Sequence, residues 1–197
     1  MTPRVDYNDP ETWASLYGGD GYVRANKDSI LGHDHHRLHE VLGIEPGQSI
    51  ILIGAGFGWV AEDWGAAGLG PIVAADSSTW IQTNKPLQAT LPIYNENSST
   101  GGSRSKILKA LGQAKATWCI SEDVMPALDD DEAVQLALRM RLMATNVTHW
   151  MSCGVRKHDD PNAWAGDPRL NWKTLEDWKE LLTPDIVVAR SEWGRRL

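Results

Sequence analysis

The chain is poor in cysteine, in phenylalanine, in cationic residues and in long apolar runs. Cys119 and Cys153 are its only two cysteines in 197 residues, too few to frame a disulfide scaffold. Both fall in apolar, strand-like runs, where a free thiol behaves as a small hydrophobe, so a reducing compartment is expected. No apolar stretch approaches the roughly 20 residues of a membrane span. The opening MTPRVDYNDPETW lacks the apolar core of a signal peptide. A cytoplasmic protein without a membrane partner is the expectation. Lys and Arg number 19 against 26 Asp and Glu, a net charge of −7, and an acidic surface repels phosphate backbones. The basic groups that exist, Arg104, Lys106 and Lys109, then Arg190, Arg195 and Arg196, read as solvated helix faces, so a nucleic-acid partner is disfavoured.

What is present is ordinary globular material: 42% hydrophobic and 23% charged residues, enough for one buried core in one domain over 1–197. Ten tryptophans run from Trp13 to Trp193 without a fixed period, so they read as core and pocket-lining mass rather than repeats. Asp9-Pro10-Glu11 starts a short helix reaching Tyr17. A second helix is expected over about Val23–Leu42, stopped by Gly43. Together these make a helical N-terminal cap over 1–45.

From residue 46 the pattern becomes an α/β core. Ser49–Ile53 is an unbroken apolar run, as a strand buried on both faces requires. It enters Gly54-Ala55-Gly56-Phe57-Gly58, followed by a helix over Trp59–Ala67. Further strands are expected at Pro71–Ala75, Leu91–Tyr94, Ala116–Ile120, Val147–Met151 and Ile186–Ala189. Helices are expected at Ser103–Leu111, at Asp130–Met143 with its apolar face at Val134, Leu138 and Leu142 beside Ala137, and from Thr174 to about Leu182 behind a capping box. Gly154–Leu170 reads as loop. Strand–helix alternation of this kind gives a Rossmann-like, doubly wound, mostly parallel sheet.

In such sheets ligands bind beyond the carboxyl ends of the strands. The glycines after the first strand let the backbone turn tightly and approach a ligand closely. Asp76, ending the second strand twenty residues beyond Gly56, is placed to accept hydrogen bonds from a ribose. A dinucleotide fingerprint needs a third glycine where Trp59 stands, and an indole there crowds a pyrophosphate. A nucleoside lacking pyrophosphate fits better, with S-adenosylmethionine one such ligand whose carboxylate meets helix N-terminal amides. No Gly-Lys-Ser/Thr follows the loop, which excludes a P-loop.

The segments Ile51-Leu52-Ile53-Gly54-Ala55-Gly56-Phe57-Gly58 and Val73-Ala74-Ala75-Asp76 resemble those of class I S-adenosylmethionine-dependent methyltransferases, particularly compact phage-encoded or type 11-like members. Trp118 to Leu128, the acidic turn Asp129–Glu132, and Asn171–Trp178 extend the resemblance over about residues 49–190. It implies that Gly54, Ala55, Gly56 and Gly58 shape the methionine side of a cofactor site, and that Asp76, with Ser77 beside it, holds the ribose. Glu96 or Asn97 would lie near the adenine, and Ser121 and Glu122 would face the reaction centre. Two positions depart from the family: Leu52 stands where an acid usually precedes the first glycine, and Thr117 where the fourth strand often opens with aspartate.

Methyl transfer from a sulfonium is an in-line displacement that depends mainly on orientation. A general base is needed only for an acceptor that must lose a proton; Glu122 is the candidate, with a ligand-binding or helix-capping role the alternative. Neither the Asp/Asn-Pro-Pro-aromatic signature of nucleic-acid amino methylation nor a Pro-Cys pair is present, which leaves a small molecule or a modest protein or RNA target as acceptor, the small molecule ahead by default. Leu52 leaves open a catalytically inactive methyltransferase-like binding or assembly protein. His33, His35, His36 and His39 invite a metal reading, but no second ligand cluster accompanies them, and no metal is expected. Asp129–Glu132 lacks the spacing of a calcium loop and reads as helix-stabilising acid.

Overall fold

The computed structural model describes residues 35–56, 58–76, 93–95, 104–153, 171 and 173–190. The expected Asp9–Tyr17 helix, most of the N-terminal cap, and the Gly154–Leu170 loop lie outside them. The described part of the cap is helix α1, His35–Leu42, which Gly43 ends at a φ of 66°.

Six strands follow: β1 (Ile50–Ile53), β2 (Ile72–Asp76), β3 (Ile93–Asn95), β4 (Ala116–Glu122), β5 (Ala144–Ser152) and β6 (Ile186–Arg190). They form one sheet in the order β3-β2-β1-β4-β5-β6, and every neighbouring pair is parallel. Helices α2 (Trp59–Ala66), α3 (Arg104–Leu111), α4 (Asp130–Met143) and α5 (Leu175–Leu181) supply crossovers, with a 3-10 turn at Met125–Ala127 after β4. The order runs outward in both directions from β1 and β4. That places the switch point, and hence the ligand crevice, between the carboxyl ends of those two strands.

Side-chain alternation divides the sheet between two cores. Ile51, Ile53, Val73, Cys119, Val147 and Met151 pack beneath α3, α4 and α5. Ile50, Leu52, Ala74, Trp118, Ile120 and Trp150 face Leu38 of α1 and Val60, Ala61 and Trp64 of α2. Leu52 is 1% exposed there, so the position where the family usually has an acid is closed into apolar packing. Thr117 lies near the amino end of β4, away from the crevice, its backbone N–H donating to Ser49 Oγ at 2.9 Å. No helix among the described residues is long and apolar enough to cross a membrane.

Helix α4 starts as expected. Asp129 accepts from the Glu132 amide at 2.9 Å while Glu132 accepts from the Asp129 amide at 3.1 Å, a reciprocal capping box. Its buried face, however, is not the expected one. Leu138 and Leu142 are 43% and 56% exposed, whereas Ala133, Leu136, Ala137, Met140 and Met143 are buried. The cause is helical geometry. Steps of four residues drift around the axis by about 40° each, so Val134, Leu138 and Leu142 wind away from the sheet. Alternating steps of three and four, as in Ala133-Leu136-Met140-Met143, stay centred on it, and the two alanines let the backbone lie close. Helix α5 has a second capping box, between Thr174 and Asp177.

Candidate functional site

The turn leaving β1 depends on glycine at each of three positions, for different reasons. Gly54, Gly56 and Gly58 have φ of 74°, 52° and 79°, a region that costs an L side chain free energy. At Gly54 space is also short: an added Cβ would run into Val124 Cγ2 and lie 2.9 Å from the Glu122 carbonyl oxygen. At Gly56 an added Cβ would meet nothing within 4 Å among the described residues. Gly58 is the N-cap of α2, and among the described residues no side chain caps that helix. The first amides of an α-helix have no acceptor within the helix itself, so this end is a donor surface.

Asp76 closes the turn from the neighbouring strand. The amides of Gly54 and Ala55 donate to the Ala75 carbonyl at 2.9 and 3.1 Å, and the Gly56 amide donates to Asp76 Oδ2 at 2.9 Å. Asp76 is 7% exposed, so its carboxylate is held at the tip of β2 and aimed at the glycine turn. Sequence spacing placed these residues in one crevice, and the structure brings Gly54, Ala55, Gly56, Gly58 and Asp76 together. Ser77, Glu96 and Asn97 lie outside the described residues. Trp59, in the place of a third glycine, is the first residue of α2 and is buried, with 6% exposure.

On the other side of the switch point, Glu122 ends β4 in register with Trp150 and is partly buried. Its neighbour Asp123 takes a φ of 51°, unusual for a residue with a side chain, and its amide donates to the Trp150 carbonyl at 2.8 Å. The Asn171 amide donates to the Pro126 carbonyl at 2.9 Å, tying the segment before α5 to the turn after β4. Asn171 also donates to Asp130 at 2.6 Å, and with Lys173 nearby this holds the Asp130 carboxyl below the usual range.

Ser121 lies apart from Glu122. It is fully buried on the α4 side of the sheet, with Oγ 2.9 Å from His149 Nδ1. His149, also fully buried, has Nε2 at 2.9 Å from Asp185 Oδ2, and Arg141 Nε donates to Asp185 Oδ1 at 2.8 Å. Burial pushes the Asp185 carboxyl up, but the hydrogen bonds from His149 and Arg141 outweigh it and hold it below its ordinary value. With Ser121 closed off, this serine–histidine–aspartate trio is not a surface nucleophile. Reading strands as apolar runs passed over His149 and Asp185. The signal was a histidine inside the otherwise apolar Val147–Met151 run. His39 packs edge-on against Trp64 at 5.7 Å between ring centres.

No protein-family model and no curated protein sequence matches this chain. Solved structures do. A SAM-dependent methyltransferase from Anabaena variabilis superposes with a TM-score of 0.57 at 13% identity, over 92% of this chain and 83% of that one. The fold is that of the S-adenosylmethionine-dependent methyltransferases. The pyocyanin biosynthetic protein PhzM matches with a TM-score of 0.57 at 14% identity over 87% of this chain, which spans only 54% of PhzM. A putative zinc-dependent alcohol dehydrogenase from Rhodobacter sphaeroides matches with a TM-score of 0.53 at 12% identity, over 77% of this chain and 57% of that one. Likeness to a methyltransferase and to a dehydrogenase alike makes the local chemistry of the glycine turn, not strand order, the discriminating feature.

Proposed function

We propose that the chain is an S-adenosylmethionine-dependent methyltransferase whose acceptor is a small molecule. The observation that carries the reading is the 2.9 Å bond from the Gly56 amide to Asp76, which sets a carboxylate beside the glycine turn and the start of α2. In this reading Asp76 accepts from the ribose hydroxyls, and the turn and the first amides of α2 receive the amino-acid carboxylate. Buried Trp59 disfavours a pyrophosphate in the same place, and with it a nicotinamide dinucleotide. The bound cofactor supplies an electrophilic methyl group; the chain supplies its orientation and, for an acceptor that must lose a proton, Glu122 as the base.

A second reading, an inactive methyltransferase-like binding protein, is favoured by the burial of Leu52, which leaves no carboxylate at that position for the methionine amino group. Isothermal titration with S-adenosylhomocysteine, S-adenosylmethionine and NADH separates these readings. Nucleoside binding that Asp76→Ala abolishes supports the pocket, and transfer of a labelled methyl group to an acceptor separates enzyme from binder. Absence of heat and of thermal shift with both sulfur nucleosides would remove the proposal, and binding of NADH alone would replace it.

A further inference from the structure

We infer that Ser121, His149, Asp185 and Arg141 form a positioning chain that fixes the tip of β4 against the glycine turn and so sets the affinity of the nucleoside pocket. The inference rests on the S-adenosylmethionine reading and adds to it residues that touch no ligand.

Both ends of the chain are anchored. At the outer end Arg141, on α4, donates to Asp185 at 2.8 Å and to the Leu182 and Thr183 carbonyls at 3.0 Å each, joining α4 to the turn before β6. At the inner end Ser121 stands in register with Ile53, the last residue before Gly54. His149 joins the two across β5. The Asp185 carboxylate can only accept, so the bridging proton lies on Nε2, and Nδ1 is left to face the Ser121 hydroxyl, which can either donate or accept. Arg141 pairs with Asp185 at the partly exposed end, so each member of the chain has a partner.

The residues that follow Ser121 need such support. Asp123 sits in the left-handed region, and the Glu122 carbonyl and Val124 press on Gly54 where a single methyl group would not fit. A strained segment persists only where its surroundings over-determine it. Two adjacent residues of β5 do that here: His149 holds the Ser121 side chain, and Trp150 accepts from the Asp123 amide. Beyond the strand ladders, these are the contacts that pin the tip, and loss of the serine hydroxyl removes one of them, which lets the tip shift and the turn beneath it relax.

The test is titration of S-adenosylhomocysteine into the full chain and its variants, with melting curves recorded alongside. Ser121→Ala is expected to weaken binding on the order of tenfold while remaining folded, and Ser121→Thr, which keeps the hydroxyl, to stay within about twofold of wild type. The wild-type protein gives a second, independent reading. The His149 imidazole nitrogen resonances are expected to move when S-adenosylhomocysteine binds, although the ring is buried away from the ligand. A histidine that merely fills the core leaves both measurements unchanged. Unaltered affinity in folded Ser121→Ala, or His149 resonances indifferent to ligand, overturns the inference while leaving the pocket in place. A wild-type chain that does not bind S-adenosylhomocysteine overturns both.

Discussion

Val124 lies directly over the α-carbon of Gly54, closing the space in which any other residue would carry its Cβ. Two costs therefore add at this position, a left-handed backbone and an overfilled contact. Gly54→Ala is expected to destabilise the fold by about 2–4 kcal/mol, read as a lower urea midpoint. Gly56→Ala faces the backbone cost, about 1 kcal/mol, and no described residue crowds its Cβ.

The two faces of α4 should answer substitution differently. Leu136→Ala empties a site that is 3% exposed and is expected to cost about 2–4 kcal/mol. Leu138→Lys, on the solvent face, is expected to change stability by no more than about 0.5 kcal/mol. Equal losses in chemical denaturation would show that the helix packs as its Val134-Leu138-Leu142 spacing suggests, against the structure.

Thr148 is fully buried in β5 and its hydroxyl has no hydrogen-bond partner among the described residues. Thr148→Val keeps the branched shape that suits a strand and removes the unsatisfied oxygen. A gain of about 1 kcal/mol in unfolding free energy is expected, and a loss would reveal a partner such as an ordered water.

Asp185 makes stability depend on pH. Its folded pKa lies below its unfolded one, so the folded chain takes up this proton less readily. The resulting stabilisation is complete above the unfolded value, about 4, and drains away as pH falls through the folded value. Melting temperatures of wild type and Asp185→Asn should therefore differ at pH 7 and converge below about pH 4. A gap that widens in acid would mean that the carboxyl is held above, not below, its ordinary value.

Much of this architecture is legible in the sequence because its signals are local. Ile50–Ile53 is apolar at every position because both faces are covered, and Gly43, Asp129 and Thr174 punctuate helices through their own backbone or side-chain chemistry. The pairing of Gly56 with Asp76 follows from the spacing of a strand, a crossover helix and a second strand. The rest depends on rotation and on distant neighbours. The orientation of α4 is decided by which small residues let it approach the sheet, which hydropathy alone misassigns. The Ser121–His149–Asp185 chain spans 28 and then 36 residues of sequence, and only the parallel register of β4, β5 and β6 brings its members side by side.

Met143 closes α4 and Ala144 opens β5 with no residue between them. The junction has no slack, so the capping box at Asp129 indirectly sets the phase in which β5 enters the sheet. One residue inserted there would either unwind the last helical turn or advance the strand by one place, exchanging the sides on which Thr148 and His149 project. A hydroxyl would then occupy the seat of the imidazole, and Ser121 and Asp185 would face each other across a gap with nothing to bridge them.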